Sequence, residues 1–122
     1  MEELRLGVVE SRFADIVWQN QPLCTKELVR LCEIQLNWKR TTTYTVLKKL
    51  CERGIFSMEN SIVTATISKE EYIAIQSEKM VNESFGGSLP AFIAAFGTRK
   101  KLSEDDVREI RRLIALFTDS EN

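Results

Sequence analysis

The chain of 122 residues contains no histidine. That removes the commonest general base and the commonest metal ligand together, and with them hydrolase triads and imidazole-bound zinc. Cysteine is scarce: Cys24, Cys32 and Cys51 are odd in number and form no CxxC pair. A disulfide framework and a thiolate-only metal site are therefore not expected, and three buried or half-buried thiols in a reducing compartment are. No GxGxxG or GxxxxGK[ST] stretch is present to cradle a phosphate. No run of about 18 apolar residues offers a membrane span. The acidic opening MEELRLGVVE does not read as a secretory leader. These absences set the expectation of a cytoplasmic protein that is not an enzyme, takes no cofactor or metal, and has no membrane partner.

What is present fits a soluble globular chain, with 43% hydrophobic and 29% charged residues. The formal net charge of −1 argues by itself against a nucleic-acid partner, but the distribution matters more. Residues 1–67 carry a net +1 and residues 68–122 a net −2. Within Trp38–Arg53 five basic residues (Lys39, Arg40, Lys48, Lys49, Arg53) face one acid, Glu52. The basic charge is gathered on one element.

Hydrophobic spacing divides the first half into three helices and a hairpin. Val9, Phe13, Ile16 and Val17 recur at helical spacing from about Gly7 to Asn20, where Asn20-Gln21-Pro22 stops the helix. A short extended piece, Pro22-Leu23-Cys24, follows. Thr25 reads as the N-cap of a second helix, Lys26 to about Leu36, with Leu28, Leu31, Cys32 and Gln35-Leu36 as its inner stripe. The third segment, about Lys39 to Arg53, is rich in Thr, Tyr and Val, which favour strands. Its period disagrees: Thr43, Val46, Leu47, Leu50 and Cys51 share one face of a helix, and Gly54 reads as its C-cap. Two β-like runs, Ile55–Met58 and Ser61–Ile67, are split by Glu59-Asn60. Three helices and then a hairpin is the winged helix-turn-helix order. The expected fold is thus mainly α with a small β-hairpin, with the winged-helix domain over 1–68.

The second half reads as helical. Ser68 and Glu71 form a capping box for a helix from Lys69 to about Glu83. Gly86-Gly87-Ser88 breaks the chain, and a stripe of Leu89, Phe92, Ile93 and Phe96 follows. Thr98-Arg99-Lys100-Lys101 is expected as a loop, and Ser103 as the cap of a last helix bearing Val107, Ile110, Leu113, Ile114 and Phe117. Four of the six phenylalanines lie here, at Phe85, Phe92, Phe96 and Phe117. These are too many apolar groups for short helices to bury alone, so 69–122 is expected to be a helical dimerisation domain using Phe85 together with the two stripes.

The outward side of the third helix carries Thr41, Thr45, Lys48 and Glu52, with Thr42, Tyr44 and Lys49 alongside. Short hydroxyls approach phosphates and base edges, and lysines neutralise phosphates. Trp38 stands just before the helix, where its dipole also favours a phosphate. The acids at Glu70/Glu71 and Glu104/Asp105/Asp106 sit in first helical turns, where they are expected anyway.

The stretch Ile16-Val17-Trp18-Gln19-Asn20-Gln21-Pro22-Leu23-Cys24-Thr25-Lys26-Glu27-Leu28 resembles the "VLW-x-x-GPLT-x-KEI" signature of the penicillinase-repressor family. Trp38 to Leu50 with Arg53-Gly54 resembles that family's recognition helix. Phe85-Gly86-Gly87-Ser88-Leu89 and Leu102 to Val107, with Ile110, Arg111, Leu113 and Ile114, resemble its dimerisation tail. The resemblance implies a transcriptional repressor that binds a double-stranded palindromic operator as a homodimer, with DNA contact at Lys39, Arg40, Thr41, Thr42 and Thr45 and with Lys48 and Lys49 nearby. Lys39-Arg40 replaces the family's usual Ser-Pro, and the wing Met58-Glu59-Asn60-Ser61 lacks its basic residues. Ala95-Phe96 stands where the resistance branch carries the Asn-Phe bond cut on induction, and the paired CxC motifs of the copper branch are absent. A sensor or protease partner is thus left unassigned. The other reading is a winged-helix protein-interaction module that docks a different partner through its C-terminal helices.

Overall fold

A computed structural model of the chain describes residues 5–118. Its elements are α1 (Val8–Asn20), β1 (Leu23–Cys24), α2 (Thr25–Leu36), α3 (Arg40–Glu52), β2 (Phe56–Glu59), β3 (Ile62–Ala65), α4 (Lys69–Phe85), α5 (Leu89–Arg99) and α6 (Glu104–Thr118). Packing divides them into two compact units, one ending at Lys79 and one beginning at Met80, so α4 contributes to both. The expected division at 68/69 falls earlier. The first turns of α4 group with the first unit, where Tyr72 packs on Trp18 with ring centroids 5.6 Å apart and Lys69 pairs with Asp15 at 2.8 Å.

The first unit closes over most of the side chains that helical spacing singles out, but Val9 is 51% exposed and Gln35 is exposed as well. Phe13, Ala14, Ile16 and Val17 of α1 meet Leu28 and Cys32 of α2, Leu47 and Leu50 of α3, and Ile55, Phe56 and Val63 of the hairpin, all of them buried. Phe13 stacks on Trp38 at 5.6 Å and meets Phe56 edge-on at 6.3 Å. Trp18 has an apolar body and one polar atom, and its Nε1–H donates to the Ile67 carbonyl at 3.0 Å. The Tyr72 hydroxyl accepts from the Leu6 amide at 2.9 Å. Both rings thus keep a partner for their polar tips.

The hairpin becomes a three-stranded antiparallel sheet in the order β1-β3-β2, because the short extended piece pairs as a strand: Leu23 stands opposite Val63 and Cys24 opposite Ile62. The same pairing moves the start of α2. The Thr25 amide donates to Ser61 O at 2.9 Å, so Thr25 is the buried first residue of the helix and Cys24 holds the cap position without a side-chain cap bond. The β2–β3 turn is Asn60-Ser61 rather than Glu59-Asn60, with Glu59 paired to Ile62. Both turn residues have positive φ, 52° and 62°, as a two-residue hairpin turn with the right twist requires.

In the second unit, Ser88 Oγ caps α5 by accepting from the Ala91 amide, and Ser103 Oγ caps α6 by accepting from the Asp106 amide, each at 3.0 Å. The turn at Gly86 and Gly87 uses φ of 59° and 83°, which glycine adopts freely. The expected loop at Thr98-Arg99 is helical, since α5 runs through Arg99. The Thr98 hydroxyl donates to Ala95 O at 2.7 Å, and Arg99 suits the negative end of the helix dipole.

Candidate nucleic-acid interface

The start of α3 is set by the turn before it. Asn37 takes a left-handed conformation (φ 58°, ψ 37°), and its amide donates to Glu33 O while that of Trp38 donates to Cys32 O, at 3.1 and 3.3 Å. The Trp38 ring turns inward onto Phe13, so it anchors the turn between α2 and α3 instead of standing beside the helix end as a phosphate neighbour. At the other end the Gly54 amide reaches Cys51 O and the Ile55 amide Leu50 O, both at 3.0 Å, with Gly54 at φ 85°. This is the Schellman closure that glycine permits.

Between these ends the inner face of α3 is Thr43, Leu47 and Leu50, with Val46 and Cys51 half-buried. Helical geometry then fixes the outward side. Thr41, Thr45 and Lys48 form its centre, Thr42 and Lys49 one flank, Arg40 and Tyr44 the other. Lys39, Arg40, Thr41, Thr42, Thr45, Lys48 and Lys49 are exposed and Tyr44 is half-buried. The Arg40 guanidinium lies over the Tyr44 ring, 5.6 Å from its centroid. Glu52 lies on the same outer side in the last turn. Tyr44 and Lys48 also border an open groove of about 530 Å³ whose other walls include Leu47, Cys51 and Met58.

The structure separates Lys49 from the other basic residues. Its Nζ sits 2.9 Å from Glu10 Oε2 of α1, and Arg53 Nη1 lies 3.6 Å from Glu10 Oε1. Glu10 Oε1 also accepts from the Gly7 amide at 3.1 Å. The Lys49 ammonium above all, then the Gly7 amide, hold the Glu10 carboxyl below the usual carboxylate range, against a small opposing effect of burial. Glu10 is the residue at this surface that helical periodicity does not find. Its one local signal is an acid three residues past the N-cap of α1.

Thr43 carries an unexpected cost. Its Oγ1 is buried without a hydrogen-bond partner. Cys32 lies close enough for the hydroxyl to offset part of the rise that burial imposes on its thiol pKa, yet the two do not reach hydrogen-bonding geometry. A buried, unpaired hydroxyl costs about 1–3 kcal/mol. Thr43→Val removes it with the shape nearly kept. The expected gain is about 1 kcal/mol, or roughly 4–8 °C in Tm for a unit of this size. A lower Tm in a thermal melt would show that the hydroxyl is partnered after all.

The wing tip is short and carries no basic residue: Met58, Glu59, Asn60 and Ser61 are all exposed. In the second unit none of the residues expected at a dimer contact is buried. Phe85, Phe92, Val107, Ile110 and Leu113 are half-covered, while Leu89, Ile93, Phe96, Ile114 and Phe117 are exposed, Phe117 to 76%. Phe92 meets Phe85 and Phe96 at 5.6 and 6.2 Å. An apolar groove of about 480 Å³ runs between α5 and α6 past Ile93, Leu102, Ile110 and Ile114. Leu116, also exposed, lies outside the expected stripe. Ala95 and Phe96 sit inside α5. Among the described residues no group of three His, Cys, Asp or Glu side chains is placed to hold a metal ion, and no helix is long and apolar enough to cross a membrane.

The chain is similar to the methicillin resistance regulatory protein MecI of Staphylococcus aureus, at 19% identity over 113 residues, spanning 89% of this chain and 92% of that protein. It is 18% identical to the protein of the same name from Staphylococcus epidermidis over the same spans. The model of the penicillinase repressor family matches residues 6–116, almost the whole chain. The protein therefore belongs to the penicillinase repressor family of transcriptional repressors, which are regulators and not enzymes.

Proposed function

We propose that the protein represses transcription by binding a palindromic operator as a homodimer, each copy laying α3 in the major groove. One observation carries this reading. The core fixes one face of α3 through Thr43, Leu47 and Leu50, and so turns outward a row of hydroxyl and basic side chains. Among them Thr41, Thr42, Thr45 and Lys48 have no hydrogen-bonding or ionic partner among the described residues. Threonine is a modest helix former, so contact with a ligand explains its repetition there better than helix stability does. Threonine hydroxyls and methyls suit base edges, while Lys48, Lys39 and Arg40 suit phosphates. Lys49 joins them only by leaving Glu10. The short acidic wing adds no charge for the backbone.

The uncovered apolar surface of α5 and α6 supplies the second half of the proposal. A two-fold dimer covers it and sets two α3 helices about one DNA turn, roughly 34 Å, apart. The reading places the protein with the DNA, in the cytoplasm. A protease partner acting at Ala95–Phe96 would first have to unwind α5 there.

The test is selection from a random duplex library by the purified protein, with light scattering of the same sample. The expected result is an enriched inverted repeat bound by a dimer, with affinity falling steeply as salt rises. Ile114→Glu is expected to give monomers and to lose the repeat. A library without enrichment removes the DNA reading. A wild-type chain that stays monomeric at micromolar concentration favours a hetero-partner on α5 and α6.

A further inference from the structure

We propose that Glu10 is a built-in competitor for the DNA backbone: its carboxylate occupies the Lys49 ammonium and so limits sequence-independent attraction to phosphates. The inference rests on the DNA-binding reading of α3 and deepens it by naming a restraint on that site.

The geometry divides the work of the two carboxylate oxygens. Oε1 serves α1, accepting the Gly7 amide at 3.1 Å. An acid at this position of a helix needs no further explanation. Oε2 serves something else: it lies 2.9 Å from Lys49 Nζ, thirty-nine residues along the chain and on a flank of α3. Arg53, in the cap position of α3, stands 3.6 Å from the same group. Of the five basic residues between Trp38 and Arg53, two are thus drawn to one α1 carboxylate. Lys39, Arg40 and Lys48 remain for phosphates.

Glu10 is 20% exposed and Arg53 12%, so the carboxylate also helps to hold α1 against α3. The Lys49 side chain is 58% exposed, and its own share in folding is correspondingly small. An uncompensated lysine at the edge of a reading surface has a large effect elsewhere. Each phosphate neutralised steepens the dependence of log K on log salt by about 0.9 and strengthens binding to every sequence alike. A repressor gains nothing from such binding, because it fills non-operator DNA as readily as the operator.

Glu10→Gln keeps an oxygen for the Gly7 amide and removes the charge. Binding of the full-length wild type, E10Q, K49A and E10Q/K49A to a short duplex of unrelated sequence is followed by fluorescence anisotropy across a salt series. Thermal melts confirm that all four are folded. E10Q is expected to bind about 3–10-fold tighter at low salt, with a slope steeper by about 0.9. In the K49A background the same change is expected to leave the slope unaltered. An unchanged slope in E10Q, while the wild type binds DNA, overturns the restraint and leaves the DNA reading intact. So does a steeper slope that persists without Lys49. Absence of salt-sensitive binding in all four proteins overturns the DNA reading, and this inference with it.

Discussion

Thr45→Glu is expected to weaken binding to the selected operator by at least about 100-fold without unfolding the protein. Thr45 is exposed at the middle of α3, on its outward centre line between Thr41 and Lys48. Glutamate is a better helix former than threonine, so the helix itself does not suffer. Against a duplex the carboxylate meets phosphates and base acceptors, and like charges brought together at an interface cost several kcal/mol, where about 1.4 kcal/mol is tenfold. Gel shift measures the loss, and a thermal melt within about 2 °C of wild type locates it at the interface rather than in the core. Retained operator affinity in a folded T45E protein would remove the outward face of α3 from the contact.

Phe13→Ala is expected to cost about 3–5 kcal/mol, a large share of the 5–15 kcal/mol typical of a whole domain. The side chain is fully buried and touches both halves of the reading head: Trp38 of the α2–α3 turn stacks on it at 5.6 Å, and Phe56 of β2 meets its edge at 6.3 Å. Removing the ring empties the place where the helices and the sheet meet. Each kcal/mol is worth about 4–8 °C in Tm for a domain of 60–100 residues, so a drop well above 10 °C is expected in calorimetry. A drop of only a few degrees would mean that Trp38 collapses into the space.

Much of this fold is legible in the sequence itself. The inner stripe of α3 outweighed the strand preference of Thr, Tyr and Val because burying Leu47 and Leu50 stabilises more than local propensity costs. Glycine at 54 marked the helix end because a left-handed residue was needed there. The caps at Ser68 and Ser103 are visible for a similar reason, being local side-chain to backbone bonds.

What escaped was non-local. A two-residue strand such as Leu23–Cys24 has no periodicity of its own and exists because β3 is beside it. That pairing also brings the Thr25 amide to Ser61 O, with Thr25 the first residue of α2 rather than its cap. The inward turn of Trp38 depends on Phe13, and the diversion of Lys49 depends on Glu10, each far away in sequence. Periodicity puts Thr41, Thr42, Tyr44, Thr45, Lys48 and Lys49 on the outer side of α3, Tyr44 half-buried, but is silent on which of them already has a partner; Lys39 and Arg40 enter through the family resemblance alone.

No side chain of α4, α5 or α6 is fully shielded from water in one copy of the chain. Helices without an interior of their own hold their arrangement by borrowing one, so under the proposed pairing their cohesion obeys mass action. Dilution then loosens the C-terminal helices and separates the two reading heads in one step, and copy number in the cell becomes a control on operator occupancy steeper than simple proportion.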